Sequence, residues 1–350
     1  MVRPRAALAA AVVTAAPLLI VILLLAGSFS TRPAAPTTGP TPSVDRPATP
    51  TAGAVASGEP GAASPVASAG TATSAPAASP TTTTAASVVF VGAGDIADCR
   101  SEGDTQTAAI LDALPGAAVF TLGDNAYEDG SLREYEDCFG PTWGRHRERT
   151  WPAPGNHEYR TAGAAGYFAY FGDRAGPDGR GYYAFELGGW RVYSLNSNCE
   201  AIGGCGGGSS QLAWLRDDLA NHPAACVLAY WHHPRYSSSE HGSDDVMDAA
   251  WDALVEARAE LVLAGHDHAY ERFAPMNASG DAAANGITSF VVGTGGRSHY
   301  GFEEILPTSV ARSTGVWGVL ELTLAPDAWS SRFVPVPGGT FTDAASGDCH

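Results

Sequence analysis

The chain has 350 residues and 45% of them are hydrophobic, enough for a buried core, yet only 16% are charged, so some stretch must be almost chargeless. All of its 20 basic residues are Arg, set against 37 Asp plus Glu, and the formal net charge is -17. That balance argues against a surface that binds nucleic acid or another polyanion.

Met1 to Arg5 carries two Arg, and Ala6 to Ala26 is free of charge and includes the apolar run Leu18 to Leu25. This pattern reads as an export signal. It is long enough to cross a bilayer as a helix even with Pro17 inside it, while Ala26-Gly27-Ser28 offers a weak cleavage site. Residues 1–27 are therefore a signal peptide or a signal-anchor helix, the latter being the one membrane contact expected. Arg3 and Arg5 stay cytoplasmic and everything downstream lies outside the cell or on its surface. Residues 28–87 are almost entirely Ala, Thr, Pro, Ser and Gly, with only Arg32, Asp45, Arg46 and Glu59 charged. No core can form from them, and they read as a disordered stalk.

The rest alternates strand and helix signals, the mark of an α/β domain over residues 88–336 with a tail at 337–350. Val88 to Gly92 is a buried-type strand, Thr105 to Leu114 a helix, Ala117 to Leu122 a strand and Ser131 to Cys138 a short helix. Tyr182 to Leu187 and Trp190 to Leu195 form a strand pair turned at Gly188-Gly189. Gln211 to Leu219 is helical, Cys226 to Trp231 a strand, Asp245 to Ala259 a helix and Leu261 to Ala264 a strand. Ile287 to Val292 and Val316 to Leu324 complete the pattern.

Six cysteines in an exported chain point to disulfides. Cys199 and Cys205 share a Gly-rich loop and could close a small ring, and Cys99 and Cys138 could tie two loops together. Elimination leaves Cys226 with Cys349, but a buried free thiol at Cys226 is an equally good reading.

Five short segments concentrate metal-binding side chains just after strands: Gly94-Asp95-Ile96-Ala97, Gly123-Asp124-Asn125-Ala126-Tyr127, Gly155-Asn156-His157-Glu158, His232-His233-Pro234 and Gly265-His266-Asp267-His268. Ligands of open α/β sheets gather beyond the carboxyl ends of the strands, so scattered segments can build one site. Alone, a Gly-Asp is more often a turn or a helix cap. His266 and His268, two apart in extended backbone, point the same way and can reach into one cavity.

The ordered set resembles the calcineurin-type metallophosphoesterases, and Tyr127 in the second segment makes it similar to their purple acid phosphatases. The resemblance implies a four-layer α-β-β-α sandwich of two mixed sheets. It also implies one metal ion held by Asp95, Asp124, Tyr127 and His268 and a second held by Asp124, Asn156, His232 and His266, with Asp124 bridging. His157 would contact the substrate phosphate, and His241 would help the leaving group depart. Two positions depart from the family pattern: Ala97 stands where Gly is usual, and Gly242 where plant relatives often carry a second His.

The donor types fit that division. Oxygen donors with one imidazole suit Fe(III), and an amide oxygen with two imidazoles suits Zn(II), Mn(II) or Fe(II). Two such ions can activate water and grip phosphoryl oxygens for in-line attack. The expected activity is that of an acid phosphatase on phosphomonoesters. Diesters of nucleotides or lipid headgroups are the alternative for the same centre, and a non-catalytic surface binding module is the alternative from another class. Gly293 to His299 is either a tight turn or a pocket wall with Arg297 or His299 on phosphate; His233 orients its neighbour or packs; His146, His222 and His350 are expected to face solvent.

Overall fold

The computed structural model describes residues 86–350; residues 1–27 and nearly all of 28–87 lie outside the described residues. In chain order the first half contains β1 (Val88–Ala93), α1 (Gly103–Asp112), β2 (Ala118–Leu122), α2 (Leu132–Glu134), β3 (Thr150–Ala153), α3 (Ala165–Phe171), β4 (Tyr183–Leu187) and β5 (Trp190–Ser194). The second half contains α4 (Ser210–Asn221), β6 (Val227–Tyr230), α5 (Asp248–Glu256), β7 (Leu261–Ala264), β8 (Tyr270–Phe273) and β9 (Thr288–Val292). It ends with β10 (Ser309–Ser313), β11 (Gly318–Leu324), β12 (Ala328–Pro335) and β13 (Ala344–Asp348). Among the described residues no helix is long and apolar enough to cross a membrane.

The strands form two mixed sheets, as expected, ordered β13-β12-β11-β1-β2-β3 and β10-β8-β9-β7-β6-β5-β4. Within the first, β1, β2 and β3 run parallel. Within the second, β5, β6, β7 and β9 do. Side-chain alternation along β6 shows how the layers stack: Leu228 and Tyr230 enter the core between the sheets, while Val227 and Ala229 face the core formed with α4 and α5. Phe90 and Phe120 of the first sheet meet Tyr230 of the second at ring distances of 6.1 and 6.2 Å.

Residues 337–350 do not stand apart from the sheets: β13 pairs antiparallel with β12, and Cys349 bonds to Cys226 at the start of β6. Cys99–Cys138 and Cys199–Cys205 are the other disulfides. His146 is not solvent-facing. Its side chain is 10% exposed and lies 3.0 Å from Asp112.

Candidate metal centre

Every parallel strand but β5 delivers a chemistry-bearing segment at its carboxyl end. Asp95 follows β1, Asp124 follows β2, Asn156 follows β3, His232 follows β6, His266 follows β7 and the Gly293–Arg297 segment follows β9. The two sheets bring these loops edge to edge. Asp95, Asp124 and His266 all have positive φ (60°, 49° and 69°), a conformation that costs non-glycine residues energy unless the surroundings hold it. Two glycines allow the close approach. A Cβ on Gly123 would sit 2.6 Å from the ring of His232, and one on Gly155 would sit 2.1 Å from the Asp124 carboxylate.

The seven residues expected as ligands are brought together. The buried Tyr127 hydroxyl lies 2.9 Å from Asp95 Oδ1, 3.1 Å from Asp124 Oδ2 and 3.3 Å from His268 Nε2. Asp124 Oδ2 is also 3.4 Å from His232 Nε2. That nitrogen in turn lies 2.9 Å from Asn156 Oδ1 and 3.2 Å from His266 Nδ1. Two donor clusters thus share one atom, Asp124 Oδ2. His233 is drawn in as well, since its ligand nitrogen and those of His232 and His266 lie within 4.8 Å of one another.

The electrostatics are those of crowded donors. Burial and the Asp124 and Asp95 carboxylates push the Tyr127 phenol well above its usual range. Burial opposes the charge on His232, but Asp124 and Asp95 outweigh it and lift the imidazole to about 9. Burial would raise Asp124, yet His232 and His157 hold it far below the carboxylate range. Burial and the charge on His232 drive His266 well down, and drive His233 to about 3. A cation placed among these donors inverts that pattern, favouring an ionised phenol and neutral imidazoles. The residues present therefore fit a pair of metal ions.

Supports surround the donors. His232 Nδ1 is 2.7 Å from the Leu122 carbonyl, which leaves Nε2 free to face the cluster. His266 N–H donates to Asp95 Oδ2 at 2.9 Å and His157 N–H to Asp124 Oδ1 at 2.8 Å. The ring of His157 donates from Nδ1 to the Glu128 carbonyl at 2.6 Å, and its Nε2 lies 3.7 Å from Asp124 Oδ2. His241 is exposed, with its ring stacked 4.4 Å from that of His266. Ala97, at the usual glycine position, is fully buried, and its carbonyl accepts Tyr127 N–H at 2.8 Å.

Two carboxylates that sequence reasoning left without a role organise the loops. Glu158, fully buried, accepts N–H groups of Asp124, Asn125 and Gly155 and the hydroxyl of Tyr135. Asp267 accepts Ser237 Oγ at 2.5 Å and His241 N–H at 2.9 Å. The signal for both was their place inside ligand-bearing segments, as the last residue of Gly-Asn-His-Glu and the middle of His-Asp-His. Arg297 is occupied elsewhere. It pairs with Asp98 and Glu128 and lies 4.6 Å above the Tyr127 ring.

Residues 88–270 match the family model described as calcineurin-like phosphoesterase. An uncharacterised protein of Mycobacterium tuberculosis is 32% identical over 188 residues, covering 46% of this chain and 36% of its own length. Purple acid phosphatase 23 of Arabidopsis thaliana is 28% identical over 166 residues, with coverage of 42% and 35%. Purple acid phosphatase 18 of the same plant is 26% identical over 225 residues, with coverage of 60% and 50%. The chain thus spans half or less of the length of these relatives. Among solved structures, a purple acid phosphatase from yellow lupin (Lupinus luteus) seeds superimposes with a TM-score of 0.62 at 18% identity, over 75% of this chain and 54% of that one. The Plasmodium inner-membrane-complex anchor GAP50 gives 0.59 at 13% identity, over 75% and 89%. These two likenesses concern the fold.

Proposed function

Because the chain belongs to the calcineurin-like phosphoesterase family, we propose that it hydrolyses phosphomonoesters outside the cytoplasm, in the manner of an acid phosphatase. The family likeness implies a binuclear centre. In this reading Asp95, Asp124, Tyr127 and His268 hold Fe(III), while Asp124, Asn156, His232 and His266 hold Zn(II), Mn(II) or Fe(II). When bound, the ions lower the pKa of coordinated water and neutralise charge on the phosphoryl group.

The remaining steps fall to side chains. His157 spends its Nδ1 proton on the Glu128 carbonyl, so only its protonated form has an N–H left at Nε2. In that form it donates to a phosphoryl oxygen and offsets developing charge. His241, set by the backbone bond to Asp267 and by stacking on His266, supplies the proton taken up by the departing alkoxide. Burial of Asp95, Asp124, His232 and His268 keeps bulk water from the donor atoms. Three disulfides support an oxidising location, with residues 1–27 as the export segment.

The observation that carries this proposal is the Tyr127 hydroxyl placed within hydrogen-bond reach of two carboxylates and an imidazole at once. Comparing turnover of p-nitrophenyl phosphate with that of its bis ester tests it. Faster monoester turnover is expected, and a clear preference for the diester overturns the monoesterase assignment.

A further inference from the structure

Beside the candidate centre lies a cavity of about 410 Å³ whose walls include Asn156 and His233 at one end. Three loops border it, and it opens to solvent. The first is the turn after β3, which contributes Tyr159 and Arg160. The second follows β5 and contributes Cys199, Glu200 and Ala201. The third follows His241 and contributes Asp244 and Val246. The second loop is tied down by the Cys199–Cys205 disulfide, and Cys199 Sγ lies 3.6 Å from the Val246 carbonyl. The third loop is pinned by Asp244 N–H on the Pro234 carbonyl at 2.9 Å and by Asp244 Oδ1 on Val246 N–H at 3.0 Å.

We infer that this cavity receives the alcohol portion of the substrate and selects bulky, uncharged, ring-bearing leaving groups, such as an aryl group or a nucleoside. The inference rests on the proposed function, because only an ester held at the centre brings its alcohol portion here. Asn156 and His233 wall the cavity next to His232 and His266, so an ester whose phosphoryl group sits at the donor cluster has this space beside it for its alcohol portion. Its lining offers the Tyr159 ring, a disulfide, Ala201 and Val246, and Val246 is 39% exposed although apolar. Charge excludes a second anion. Glu200 and Asp244 face the cavity, and its one cation, Arg160, bonds to Glu128 at 3.2 Å. Ala201 and Glu200 are exposed and lie outside the catalytic machinery, so substitutions there leave the fold intact.

The experiment compares 2-naphthyl phosphate with glycerol 2-phosphate on the full chain, its Ala201→Trp variant, which fills the cavity, and its Val246→Asp variant, which charges it. In both variants KM for the naphthyl ester should rise about tenfold, with the glycerol ester within about twofold of the unaltered protein. Equal effects on both esters, or none on either, overturn the inference while leaving the phosphatase reading intact. Failure of the unaltered protein to turn over either ester sinks both. In the unaltered protein, phenyl phosphate should exceed 4-carboxyphenyl phosphate in kcat/KM although the latter has the better leaving group, and Glu200→Gln should narrow that gap. Equal turnover contradicts the selection against charge.

Discussion

Glu158 accepts the backbone N–H of Asp124 at 2.9 Å, from within the protein, while the Asp124 carboxylate faces the donor cluster. The same carboxylate holds Asn125 and Gly155, so one buried side chain fixes the loops after β2 and β3 relative to each other. Glu158→Ala leaves those buried N–H groups unpaired and should cost about 3 kcal/mol or more. Thermal denaturation should show a midpoint lower by roughly 6–12 °C, and calorimetric titration should show weakened metal binding. Glu158→Gln, which keeps one acceptor oxygen, should fall between.

A pH dependence follows from His232. Its imidazole is lifted from about 6.5 to about 9 in the folded, metal-free protein, because Asp124 and Asp95 outweigh burial. A raised folded-state value contributes stability that is complete below about pH 6.5 and lost as pH climbs through about 9. The chelated protein should therefore lose urea resistance across that window. Metal loading holds the imidazole neutral and should flatten the slope. A chelated protein whose urea midpoint stays level from pH 6 to 9 contradicts this.

Tyr127 ties the account to iron. A trivalent ion held by Asp95, Asp124, Tyr127 and His268 in place of their mutual bonds would ionise the phenol and give a visible charge-transfer band. Tyr127→Phe should abolish that band in iron-loaded protein. A colourless active enzyme would refute the iron assignment.

The Cys226–Cys349 bond closes a separation of 123 residues and joins the last described segment to β6. In the chain-entropy model, replacing both with Ser should cost about 5 kcal/mol, seen as a lower denaturant midpoint with little change in the spectrum of metal-loaded protein.

The buried strands were legible because Val88 to Gly92, Cys226 to Trp231 and Leu261 to Ala264 are apolar runs too short for helices. β3 was not, since Thr-Trp-Pro-Ala is four residues with a proline, and its place comes from pairing with β2. β13, Ala-Ala-Ser-Gly-Asp, carries no strand signal and is held by β12 and a disulfide. The convergence of the five segments was legible because each sits at a strand end, whereas the choice of seven candidate ligands within them came from the family resemblance. Glu158 and Asp267 act on backbone groups of other loops, and no spacing within a single sequence displays such partners.

The most direct test is the metal content of the purified, fully active protein, measured against chain concentration by elemental analysis. Two clusters of donors sharing Asp124 Oδ2 call for two ions per chain. Full activity with one ion per chain would contradict the account.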